Sequence, residues 1–155
     1  MDAMIQKGGF DMVFIQFYNG GYCTARSRVN KSPVNNFNYA AWYTYLKKSG
    51  SKSTNARIYI GLLGGPTGSV NHPGDFLNVA EVKNLISVYG RNAQIGGVML
   101  WDGTAAERYR GSDLVGASQR YWDVVKTAML VSFVDICRYH VYANAYIELP
   151  IQQEA

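Results

Sequence analysis

Gln16 and Tyr18 stand two residues apart at the end of one apolar run and are followed by Asn19. Met99 and Trp101 stand two apart at the end of another. In a β-strand this spacing puts both members of a pair on the same side. An amide and a phenol converging there could bind a polar ligand such as an acetamido group. The Trp101 indole offers a flat face to the apolar side of a sugar ring. For Tyr18 and Trp101 the alternative is a core aromatic with its polar atom satisfied. Gln16 argues more strongly for a ligand, because an interior strand position seldom takes an amide without a specific partner. Asp102 could be an acid, a cap for the segment that follows, or a surface charge.

Other reactive groups are scattered. No two carboxylates lie near a strand end at the spacing of a hydrolytic pair. Glu81 reads as a helix cap, and Glu107 and Asp123 as solvated helix charges. No serine sits in a nucleophile elbow with His and Asp partners. Cys23 and Cys137 make neither a disulfide framework nor a metal pattern, and His72 and His140 are far apart. No metal and no cofactor is expected.

The elements that must position these residues alternate. Residues 11–19 carry apolar side chains on both faces, as a strand covered on both sides does, and Gly20-Gly21 ends it. Residues 37–49 have helical spacing and close on Lys47-Lys48 and Gly50. Residues 57–63 form a second strand, followed by a Gly/Pro-rich loop from Gly64 to Gly74. Asn78 with Glu81 three residues later predicts a capping box for a helix that Gly90 ends. Residues 95–101 are a third strand and 117–131 a third helix. This alternation implies an α/β fold of parallel βαβ units, either an open doubly wound sheet or part of a barrel. No Gly-x-Gly-x-x-Gly turn follows any strand, so a dinucleotide site has no support. The stretch 132–155 would add a helix or fray.

The chain has 155 residues, 48% of them hydrophobic and 17% charged, enough for one domain with a real core. The net charge of +4 comes from dispersed Lys and Arg, so no nucleic-acid partner is expected. The first nine residues lack an apolar core of signal-peptide length, and the apolar run from Val124 to Cys137 is too short to span a bilayer. Neither an anchor nor a membrane partner is expected.

The residues now carry a resemblance. Phe10-Asp11-Met12-Val13-Phe14-Ile15-Gln16-Phe17-Tyr18-Asn19 resembles the sixth barrel strand of family 18 glycoside hydrolases, and in particular of the class III chitinases of fungi and plants. Ile95-Gly96-Gly97-Val98-Met99-Leu100-Trp101-Asp102 is similar to their eighth strand. Asn36 to Trp42 and Arg57 to Leu62 resemble the sixth helix and seventh strand. The resemblance runs from residue 2 to about residue 128. It implies a partial TIM (β/α)8 barrel of about three βα units, strands six to eight. Residues 1–131 would be the C-terminal portion of the catalytic domain and 132–155 a divergent tail.

The family implies cleavage of β-1,4-linked N-acetylglucosamine polymers by substrate assistance, in which the acetamido oxygen attacks the anomeric carbon. A Glu protonates the leaving oxygen and an Asp orients the acetamido group. By resemblance, Tyr18 would donate a hydrogen bond to that group, Gln16 and Asn19 would line its pocket, Trp101 would form the floor, and Met99 would lie beside it. The Asp-x-x-Asp-x-Asp-x-Glu signature of the family does not occur in these 155 residues, nor do strands one to five. Gly20-Gly21 stands where many relatives have a second Asn, Leu63 where a Pro is common, and Cys23 resembles a cysteine whose disulfide partner lies upstream. The expectation is a chitinase fragment without its general acid, inactive alone and binding chitin or chito-oligosaccharide weakly. The full-length family implies an extracellular setting. The alternatives are a non-catalytic sugar-binding module and a half-barrel that self-associates or complements another half through the open edges of its first and third strands.

Overall fold

A computed structural model describes residues 2–29, 36–92, 94–110, 119–132 and 142–143. Three strands form its centre: β1 (Met12–Gln16), β2 (Arg57–Leu63) and β3 (Ile95–Trp101), all parallel and in that spatial order. The helices are α1 (Asp2–Gly8), α2 (Ala25–Val29), α3 (Tyr39–Leu46), α4 (Val79–Tyr89), α5 (Gly103–Arg108) and α6 (Tyr121–Ser132). A two-residue strand, β4 (Tyr142–Ala143), pairs in parallel with β3 at Met99 and Leu100.

Alternation along the strands gives the sheet two unlike faces. One carries Ile15, Ile58, Ile60, Leu62, Val98 and Leu100, all at most 6% exposed. These β-branched and leucine side chains belong to one core with Val82, Leu85 and Ile86 of α4 and Tyr121, Val125 and Met129 of α6. The other face carries Met12, Phe14 and Gln16 from β1, Tyr59, Gly61 and Leu63 from β2, and Gly97, Met99 and Trp101 from β3. The strand registers place these residues in rows: Phe14 beside Tyr59, then Gln16 beside Gly61 beside Met99. Phe14 and Tyr59 stack at 4.6 Å between ring centroids. Even so, Phe14 and Met12 remain 44% and 45% exposed.

The α4 helix starts as its sequence dictates. The Asn78 side chain accepts from Glu81 N, and the Glu81 carboxylate accepts from Asn78 N. The second and third strands coincide with the expected ranges. The first is shorter than residues 11–19, because the chain turns at Asn19, whose φ is 57°. The helix expected over 37–49 occupies Tyr39–Leu46, and that expected over 117–131 is described from Tyr121 to Ser132. Helices α1, α2 and α5 were not foreseen, being short and without a periodic apolar stripe. Of the stretch 132–155, expected to add a helix or fray, Tyr142–Ala143 forms a short strand, and residues 133–141 and 144–155 lie outside the described residues. The outer edge of β3 is therefore paired at two positions, whereas β1 has no strand on its outer edge among the described residues.

Candidate functional site

The C-terminal ends of β1 and β3 bring Gln16, Met99 and Trp101 to one end of the sheet, and the turn after β1 adds Tyr18 and Asn19. Gln16 ends β1 with an exposed side chain, and its Nε2 donates to the Tyr18 carbonyl at 2.9 Å. This bond uses one amide donor to fix the turn and sets the orientation of the side chain. Gln16 and Met99 flank Gly61. A Cβ at Gly61 would lie 2.7 Å from the Ile15 carbonyl oxygen and 3.0 Å from Met99 Cε. The middle strand thus contributes space, a role that a search for reactive groups does not detect.

Trp101 ends β3 and is 45% exposed. Of the two readings open for this residue, that of a buried core aromatic does not hold. The peptide bond between Trp101 and Asp102 is cis. The Trp101 carbonyl accepts from Gly64 N at 2.6 Å, which ties the strand end to the loop after β2. Asp102 is a cap: its Oδ1 accepts from Ala105 N at 2.8 Å at the start of α5.

Tyr18 differs from Gln16. The strand has ended before it, and the ring is 4% exposed within the hydrophobic core. No hydrogen bond to its hydroxyl is present among the described residues. Burial raises its pKa, because the phenolate would lose hydration. The group is a neutral donor at physiological pH. Gln16 and Tyr18 are therefore linked through backbone rather than presented side by side to solvent.

Asn19 adopts the left-handed conformation, which Asn tolerates better than most residues. Its N–H donates to Asp75 Oδ2 at 2.8 Å. Arg26 reinforces this junction. Its Nε donates to the Gly74 carbonyl at 2.9 Å, and its guanidinium also bonds the Phe76 carbonyl and the Glu81 carboxylate. Asp75 and Arg26 hold the turn that carries Tyr18 and Asn19, and neither stood out in the sequence. Their signal is complementary charge on two loops, which becomes visible only once the loops are adjacent.

The described carboxylates at this end of the sheet have structural partners. Asp75 and Asp102 bind backbone N–H groups, and Glu81 caps α4 and pairs with Arg26. On the helices, Glu107 and Asp123 both pair with Arg120 rather than standing simply solvated. Among the described residues no three His, Cys, Asp or Glu side chains gather as a metal site would require. Cys23 is exposed and free among them. No described helix is long and apolar enough to cross a membrane.

No family model matches the chain. It is similar to fungal endochitinases. Endochitinase A1 of Aspergillus fumigatus is 39% identical over 105 residues, which is 66% of this chain and 12% of that protein. Endochitinase 2 of Coccidioides posadasii is 30% identical over 128 residues, 81% of this chain and 14% of the relative. Endochitinase A of Aspergillus niger is 33% identical over 131 residues, 83% of this chain and 10% of the relative. The chain thus spans about one-tenth to one-seventh of the length of these curated relatives. These similarities support a relationship to the chitinases.

Proposed function

We propose that this chain is the C-terminal portion of a family 18, class III-type endochitinase domain, comprising strands six to eight of its barrel. Its role is to supply the N-acetylglucosamine-binding floor. The observation that carries this reading is the row of Gln16, Gly61 and Met99 on the less covered face of the sheet, with the half-exposed Trp101 at its end. In a closed barrel that face would look inward. Trp101 would support the apolar face of the sugar. Tyr18 would donate to the acetamido oxygen once a ligand or the rest of a barrel drew its hydroxyl into the site. Gln16 and Asn19 would line the same pocket. Residues 1–131 carry this role, and 132–155 are a divergent tail. The full enzyme would act on chitin outside the cell.

The chain alone binds chito-oligosaccharide weakly and does not hydrolyse it. Its described carboxylates at the C-terminal end of the sheet, Asp75, Asp102 and Glu81, are held by backbone N–H groups or by Arg26, and the family's acidic strand is not among these residues. Loss of an essential general acid costs orders of magnitude in rate. Incubating the purified chain with chitotetraose and analysing the products by chromatography tests this. No cleavage above a buffer blank is expected, and turnover would refute the assignment of roles. Retention on chitin beads that disappears in Trp101→Ala is the matching positive result.

A second reading has an observation of its own. The outer edge of β1 is unpaired among the described residues, and Phe10, Met12 and Phe14 beside it are 39–45% exposed. Such an edge recruits another strand. The chain would then self-associate or complete a half-barrel supplied by another polypeptide. Sedimentation over a range of concentrations decides: a defined stoichiometry supports association, and amorphous precipitation opposes it.

A further inference from the structure

A cleft of about 390 Å³ lies between the loop after β2 and α5, lined by Thr67, Asp102, Thr104, Arg108, Tyr109 and Arg110 among others. Its volume falls in the range of small-molecule sites. None of these residues is among the five candidate sugar-binding residues, and apart from Asp102 the sequence pattern gave them no role.

The walls of the cleft are built. On one side the loop after β2 is pressed onto the β3–α5 turn. A Cβ at Gly64 would collide with the Asp102 carbonyl oxygen and lie 2.9 Å from Ala106 N, and one at Gly65 would lie 3.3 Å from the Ala105 carbonyl oxygen. The opposite wall is α5, fixed at its start by the Asp102 cap. Tyr109 closes the end, its ring held edge-on by Phe76 at 5.1 Å and by Tyr121 at 5.9 Å between centroids.

The chemistry is cationic. Arg108 is exposed and makes no hydrogen bond or ion pair with the described residues. Arg110 donates through Nη1 to the carbonyls of Glu107 and Tyr109, which orients its guanidinium. Against these two charges stands Asp102, with one oxygen engaged by Ala105 N. Glu107 points its carboxylate to Arg120 instead. Thr67 and Thr104 add hydroxyls, and Pro66 and Tyr109 add apolar surface. A guanidinium fork suits a carboxylate or sulfate oxygen pair, and the hydroxyls and ring suit a sugar.

We propose that this cleft is a second binding site, taking a monosaccharide-sized ligand that bears one oxyanion, such as a uronic acid or a sulfated sugar. The site goes beyond the chitin-binding reading and does not depend on it.

The test titrates the isotope-labelled chain with glucuronate, with glucose and with sodium sulfate, following backbone amide shifts. Glucuronate is expected to move Thr67, Thr104 and Ala105 in a saturable way and to weaken as salt is added. Sulfate is expected to compete with it, and glucose to bind at least tenfold more weakly. The Arg108→Gln/Arg110→Gln variant should lose at least tenfold in glucuronate affinity while its retention on chitin beads stays within twofold. Both side chains lie at the surface, and circular dichroism checks the fold. If that variant unfolds, Arg108→Glu alone should produce the same loss. Equal binding of glucose and glucuronate, or shifts located elsewhere, would overturn the proposal. Chitin retention failing while glucuronate binds would overturn only the chitin reading.

Discussion

The two faces of the sheet were built from the same three strands and ended unequally covered. On the helix-covered face, Ile58, Ile60, Leu62, Val98 and Leu100 are at most 1% exposed. On the other, the middle strand's Tyr59 and Leu63 are also buried, but Met12, Phe14 and Trp101 of the flanking strands leave nearly half of their surface in water, and Gln16 is exposed. Each exposed apolar side chain forgoes burial worth about 1 kcal/mol or more. A face of this kind holds its residues ready for something outside the described residues to cover, whereas the first face holds the sheet together.

Truncation separates the two most sharply. Ile60→Ala on the covered face should lower stability by about 3 kcal/mol in urea unfolding, from lost transfer energy and a residual cavity. Phe14→Ala, on the other face of the adjacent strand, should cost no more than about 1 kcal/mol. Equal losses would mean that the open face is covered in solution, and the comparison would fail.

Gly61→Val should cost about 2 kcal/mol, because its side chain would be driven against the Ile15 carbonyl and Met99. It should also abolish retention on chitin beads by disturbing the Gln16–Met99 row. Trp101→Ala should move stability by less than about 0.5 kcal/mol while removing that retention. A large stability loss would instead make Trp101 a core residue.

The smallest effect concerns Tyr18. Its folded pKa is raised above the unfolded value near 10, so the folded state holds the proton more tightly. The contribution is fully present below pH 10 and is lost as pH rises through the folded value. Tyr18→Phe should therefore flatten the alkaline fall in melting temperature and leave the curve at pH 7 nearly unchanged. An identical alkaline limb in both proteins would show that Tyr18 ionises as if exposed.

Much of this was legible in the residues. The β2 and β3 ranges and the Asn78–Glu81 box follow from local patterns of side chain and cap, and local rules decide them. The turn after Gln16 was missed because Phe17-Tyr18-Asn19 continues the apolar pattern, while the chain direction is set by a remote carboxylate, Asp75. Helix α5 was missed because its Asp102 cap is indistinguishable in sequence from a surface acid. The placement of Gln16 and Met99 around Gly61 depends on strand register, which no single segment encodes. The burial of Tyr18 depends on what packs above the turn, so spacing placed it beside Gln16 while packing drew it inward.

The bonds from Asn19 to Asp75 and from Arg26 to Gly74, Phe76 and Glu81 have a consequence for how this molecule can change over generations. They splice the turn after β1 to residues 74–81, so a length change within either spliced stretch must be matched in the other. The tip of the second loop is outside the splice, and Val70 there is 94% exposed. Insertions near Val70 leave every one of these bonds in place. The rim of the candidate site can therefore acquire new segments at that point, and with them new ligand contacts, while the turn that carries Tyr18 stays unaltered.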